Sequence, residues 1–184
     1  MNETKKQRKE KHRSRVDGDL VDLLFLYGGD ILRSENFQRE KQFRQHGGYS
    51  VYDHSLAVCL FALRLAKKAK WNVDVQSLVR ASLLHDYFLY DWHKKPHPKH
   101  HANLHPEYAV ENAKRDFGLN ELEEEAIRCH MWPFHLFRFP RCKESWLLNY
   151  ADTHSALRET IGKKWLRKEL ASIEGRLRSF NKGD

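Results

Sequence analysis

From Asp17 onward apolar residues recur at helical spacing through nearly the whole chain, and no stretch alternates apolar and polar residues long enough to make a strand. That pattern predicts an all-α fold. Leu20, Val21, Leu23, Leu24 and Leu26 mark a first amphipathic helix, expected to end near Gly28-Gly29. A second is expected over 34–45, stopping at Gly47-Gly48. A third, over 53–70, is apolar around most of its circumference, as a central buried helix is. A fourth spans 75–89 and leads into a Pro- and His-rich loop, 91–104. Pro106 is expected at the first position of the next helix, with Glu107 near its positive end and Gly118 as its stop. Further helices are expected over 120–131, closed by Pro133, and over 143–159 and 163–179. There is no repeat and no internal boundary.

Composition limits what such a fold is for. The 184 residues include 40% hydrophobic and 12% aromatic side chains, enough for one real core, which excludes global disorder. The longest apolar run, 55–63, is stopped by Arg64, about half of what a membrane span needs. Asp17, Asp19 and Asp22 interrupt the early apolar segment, so no signal peptide is readable. Cys59, Cys129 and Cys142 are odd in number and far apart, neither a disulfide framework nor a CxxC clip, and a reducing cytoplasm is the expected setting. Of the formal net charge of +8, residues 1–15 hold +5, from seven cations against Glu3 and Glu10. The basic bias therefore belongs to residues 1–16, expected to be a disordered arm, with one folded unit over 17–184. Nucleic acid is an expected partner only through that arm, by phosphate contacts; no membrane partner is expected, and oligomeric state is not legible.

Five polar residues fall where core residues belong. His54 shares a helix face with Val58 and Phe61. His85 follows Leu78 by seven residues and Ala81 by four, with Asp86 beside it. His130 follows Ile127 and Ala126, and Asp152 lies four residues after Leu148 and four before Ala156. A buried carboxylate costs several kcal/mol or more unless it is paired, hydrogen-bonded or metal-bound. Imidazole nitrogens and carboxylate oxygens converging from separate helices are suitable ligands for a divalent transition metal, and a helical core is a usual place for one.

The order His54, His85-Asp86, Asp152 resembles the HD superfamily of metal-dependent phosphohydrolases. YSVYDHSLAV resembles its first motif, RASLLHDYFLYD its His-Asp doublet and NYADTHSA its closing Asp, over roughly residues 45–160. The resemblance implies a single-domain helical bundle in which His54, His85, Asp86 and Asp152 bind a first divalent ion. It also implies that His105, in LHPEYAVENA, and His130, in AIRCHMWP, hold a second, with Asp86 bridging the pair and orienting the nucleophile. One ion or two are possible, with two favoured, from among Mn, Fe, Co, Zn and Ni. Cys129-His130 stands where the cyclic-dinucleotide branch has His-His, and that branch's Gly-Tyr-Pro signature is missing, so cyclic-di-GMP is not the expected substrate.

The expected reaction is hydrolysis of a nucleotide or another small phosphorylated metabolite by metal-activated water. Lys94, Lys95 and Lys99 in the loop, and Arg44 upstream of His54, are the candidate phosphate contacts, with His46 as a further one. Glu107 is a candidate proton donor or a helix-terminal acid. Tyr87, Tyr90 and Trp92 are either pocket or core, and His93, His97, His100 and His101 read as exposed loop residues. Two other readings remain open: a di-iron oxygenase of the same superfamily, and a non-catalytic module with a structural metal.

Overall fold

Ser50 and Asp53 form a reciprocal cap that starts the central helix, α3 (Val51–Ala69): the Asp53 N–H donates to Ser50 Oγ, and the Ser50 N–H donates to the Asp53 carboxylate. Most of α3 is buried, with buried residues running from Val51 to Ala66. The computed structural model describes residues 5–95, 99–161 and 167–180. Around α3 stand α1 (Lys5–Arg33), α2 (Glu35–Arg39), α4 (Val75–Leu84), α5 (His101–Phe117), α6 (Glu121–Cys129), α7 (Lys143–Thr160) and α8 (Arg167–Phe180). A 3-10 turn, Glu40–Gln42, follows α2. Among the described residues no strand forms, and the single β-type pairing is an isolated bridge between Arg44 and Ser50. The fold is all-α, as the periodicity predicts.

Helix α3 lies between α7 and α4; α1 crosses α4, and α6 packs on both α7 and α4. Leu56, Leu60, Leu78, Leu84, Ile127 and Leu148 fill the space between them at no more than 1% exposure. Each such side chain contributes roughly 1.5–3 kcal/mol of transfer free energy. The three cysteines are free thiols. No helix of the described residues is long and apolar enough to cross a membrane.

Several expected boundaries move, each for a tertiary reason. Helix α1 continues through Gly28-Gly29 to Arg33, because Gly28 faces α4: a Cβ there would lie 2.5 Å from Leu83 Cδ1 and 3.3 Å from Val79 Cγ1. The helix expected over 34–45 is only α2 and its 3-10 turn. Helix α4 ends at Leu84, not at 89; Tyr87 and Phe88 are buried in the turn that follows. Helix α5 starts at His101, after His100 in a left-handed conformation (φ 58°), so Pro106 lies inside the helix and Glu107 beyond its first turn. Gly118 does end it. Of the expected arm, residues 1–4 lie outside the described residues, and the backbone from Lys5 belongs to α1. The start of the helix expected over 163–179 lies outside the described residues as well, with α8 beginning at Arg167.

Candidate metal centre

Helix ends bring the ring nitrogens together. His54 sits in the first turn of α3, fixed there by the Ser50–Asp53 cap. His85 and His130 are built alike: each is the C-terminal cap of its helix, and each turns Nδ1 back onto a carbonyl three residues earlier, Ser82 O at 2.9 Å and Ile127 O at 2.7 Å. Those carbonyls belong to the last turn, where intrahelical donors run short, and the imidazole N–H supplies one, at Ile127 O alongside a long bond of 3.5 Å from the His130 backbone N–H. His105, in the second turn of α5, places Nδ1 3.1 Å from His101 O. His54 Nδ1 faces the Glu159 carboxylate of α7, 3.0 and 3.1 Å from its two oxygens. Every Nδ1 therefore has an acceptor behind it, which assigns the proton to Nδ1 and leaves Nε2 as a lone pair in the neutral ring.

The four Nε2 atoms and two carboxylates form two groups. His54, His85 and Asp152 make one; Asp86, His105 and His130 make the other. Within each, the ligand atoms lie within 4.8 Å of one another. Asp152 Oδ1 is 3.0 Å from His54 Nε2 and 3.7 Å from His85 Nε2. Asp86 spans both groups: Oδ2 is 3.5 Å from His85 Nε2 and 3.9 Å from His54 Nε2, while Oδ1 is 3.4 Å from His105 Nε2 and 3.7 Å from His130 Nε2. This is the spanning position that the sequence resemblance implies for Asp86. All six side chains are buried or nearly so.

The fit to a cation rests on atoms that protein alone leaves unmatched. His85 Nε2 and Asp86 Oδ1 are buried without a hydrogen-bond partner. His105 Nε2 and His130 Nε2 face each other at 3.0 Å, lone pair to lone pair once both Nδ1 atoms carry the proton. A cation beside these atoms would resolve such conflicts, and nitrogen with carboxylate oxygen suits Mn, Fe, Co, Ni or Zn. These groups can hold divalent metal.

Electrostatics follow from the same contacts. Burial pulls the His54 imidazole down, but the Glu159 and Asp152 carboxylates outweigh it and hold it well above its ordinary value. Burial likewise opposes His85, which Asp86 and Asp152 carry upward. Burial pushes His105 down to about 3, and burial together with the neighbouring His85 lowers His130. Asp86 and Asp152, though buried, are held below the usual carboxylate range by the imidazoles around them.

The expected phosphate contacts are placed differently. Lys94 is 78% exposed and pairs with Asp91 at 3.1 Å; Lys95 and Lys99 are exposed, and Pro96, His97 and Pro98 lie outside the described residues. Arg44 lines a separate cleft of about 530 Å³ with Lys41, Tyr49, Asp53, Glu174 and Arg178. Its neighbours in sequence do reach the centre. Gln45 Nε2 donates to Asp86 Oδ2 at 2.6 Å, and the His46 ring stands edge-on to His54 with centroids 5.7 Å apart. Glu107 instead joins Arg128 at 3.2 Å and Arg138 at 2.7 Å. Tyr87 is core, its hydroxyl donating to Asp116. Trp92 stacks on His101 at 5.1 Å and donates to Gln45 Oε1 at 3.2 Å, so it borders the centre through Gln45.

Gln45 and Glu159 are the residues that sequence reasoning missed. Gln45 comes from a turn, where no periodicity marks an inward side chain. Glu159 had a signal: it follows Asp152 by seven residues on α7, two turns along the same face.

The family comparison agrees with this geometry: the HD domain matches residues 51–157, more than half of the chain, a span that encloses His54, His85, Asp86, His105, His130 and Asp152. No curated protein and no solved structure gives a significant match. With the matched span and the convergent His and Asp side chains in agreement, the chain belongs to the HD domain family.

Proposed function

We propose that this protein is a metal-dependent phosphoester hydrolase with two divalent ions, acting on a nucleotide or another small phosphorylated metabolite. The observation that carries the reading is the shared Asp86 carboxylate, one oxygen turned to each group of histidines, with His85 Nε2 and Asp86 Oδ1 otherwise unpartnered. Divalent ions held there would lower the pKa of bound water and polarise a phosphoryl oxygen. The protein's own contribution is preorganisation. The Nδ1 contacts to Glu159, Ser82, His101 and Ile127 fix each ring before any ligand arrives. Gln45 holds Asp86 from the side, so that its two oxygens stay divided between the groups.

Charge also favours two ions. Asp86, Asp152 and Glu159 bring three negative charges, and the partners described above for them are imidazoles and the Gln45 amide. One divalent ion leaves the cluster negative, which repels phosphate. Two leave it at +1, which attracts it. Asp86 is thus the proposed catalytic carboxylate, spanning the pair, and Lys94, Lys95, Lys99 and Arg44 are the proposed surface cations for substrate approach, since none contacts the cluster.

Metal content by plasma mass spectrometry, with hydrolysis of bis(p-nitrophenyl) phosphate and a nucleotide panel, tests the reading. About two ions per chain are expected, with release of nitrophenolate from the diester, or of phosphate or nucleoside from a nucleotide, that disappears in Asp86→Ala and His54→Ala. Metal added at a hundredfold excess over its Kd should raise the melting temperature by about 5–10 °C, from about 2.7 kcal/mol of binding linkage. A chain that takes up no metal after incubation with Mn, Fe, Co or Zn overturns it. So does an iron-loaded chain that consumes oxygen and hydrolyses none of these phosphoesters, the outcome belonging to a di-iron oxygenase.

A further inference from the structure

We infer that Glu159 is a positioning residue of the metal centre, setting the ligand strength and orientation of His54; the inference rests on the proposed role of His54 as a metal ligand. Three of the four imidazoles have a neutral carbonyl behind Nδ1. His54 alone has a carboxylate there, with both oxygens within 3.1 Å and the Glu159 side chain 4% exposed. A charged acceptor forms a hydrogen bond roughly twice as strong as a neutral one and draws the Nδ1 proton toward itself, making Nε2 the better donor to a cation. His54 is therefore built as the strongest imidazole ligand of the set.

The fold keeps Glu159 in that position from two sides. Asp152 and Glu159 lie two turns apart on α7, so one helix supplies the carboxylate in front of His54 Nε2 and the one behind His54 Nδ1. The turn that carries Gln45 to Asp86 also presses on the backbone of Glu159: Gly47 has φ 56°, and a Cβ there would collide with the Glu159 carbonyl oxygen. Glu159 lies two residues beyond the span matched by the family, 51–157, in the C-terminal part of α7.

Cobalt(II) binding tests it, read from the d–d absorption bands and by competition with a chelator. Glu159→Ala should weaken the tighter cobalt site about 10–100-fold and shift its bands. Glu159→Gln, which keeps an acceptor for the Nδ1 proton but not its charge, should recover only part of that loss. If Glu159 served only as a buried partner stabilising the fold, the metal-free melting temperature would fall in Glu159→Ala while cobalt affinity and spectrum stayed those of the wild type; that result overturns the inference. Should Glu159→Ala fail to fold, Glu159→Asp carries the test: drawing the carboxylate back by one methylene should cost affinity in a folded chain, and unchanged affinity overturns the inference. A wild-type chain that binds no cobalt overturns the metal reading itself, and the two failures are thereby distinct.

Discussion

A neutral imidazole offers one N–H and one lone pair, and the consequence for His105 is a pH dependence with a definite sign. Its folded value is pushed by burial to about 3, well below the ordinary value of 6.5. Between those limits the unfolded chain binds a proton that the native chain refuses. Stability from His105 is therefore complete above about pH 6.5 and declines as the pH falls toward 3. His54 and His85 have the opposite sign: their raised values contribute stability below 6.5 that is lost as the pH rises through their folded values. For metal-free protein, urea unfolding at pH 6.5 and pH 5.0 should show a loss up to about 2 kcal/mol from His105, at ~1.4 kcal/mol per pH unit. His105→Gln, which cannot take the proton, should show that much less. Parallel losses in the two proteins would refute the assignment of His105 as a buried neutral ring.

The elements show which parts of the sequence spoke plainly. His54, His85, His105, His130 and Asp152 were legible because helical spacing or family motif put each beside buried apolar residues, and the helices carry them inward. At Gly28-Gly29 the glycine signal for a helix stop marks instead a close approach of α1 to α4, a fact that lives in the partner helix and not in the local sequence. The end of α4 was hidden for the same reason: Tyr87 and Phe88 continue an apolar run, yet they are buried from a turn that aims Asp86 into the centre. Gly47, a helix stop in the sequence pattern, is also a joint between elements. Because it combines φ 56° with contact against the Glu159 backbone, Gly47→Ala meets both a left-handed penalty of ~1–2 kcal/mol and a backbone collision. We expect a melting temperature lower by about 4–8 °C and weaker metal binding, because the shift is passed to Glu159. Thermal melts with and without metal check both parts. An unchanged melting point would mean that the turn and α7 are not in the contact described.

At the scale of the whole molecule, the all-helical class was legible because a hydrophobic period of 3.6 survives any rearrangement of helix ends. The charge of the chain, by contrast, has its consequence outside the core. Seven cations stand in residues 1–15, while among the described side chains α1 is held by the buried Leu20, Val21 and Leu24 and by ion pairs of Asp19 with Lys67 at 3.3 Å and of Asp22 with Arg176 at 2.7 Å. Removing residues 1–16 leaves these contacts whole and starts the helix at Asp17, an acidic residue suited to the positive end of a helix. The shortened chain is therefore expected to keep the metal content and the phosphoester turnover proposed for the full chain, with a melting temperature within about 2 °C of it, because surface changes away from packed contacts stay within about 0.5 kcal/mol. Any retention of RNA or DNA by the full chain should vanish with the arm and weaken steeply with salt, as phosphate contacts by up to seven cations require. Gel retardation and metal analysis on the same two proteins separate the roles. Loss of turnover on deletion, with metal content intact, would place the arm at the substrate and not at the surface.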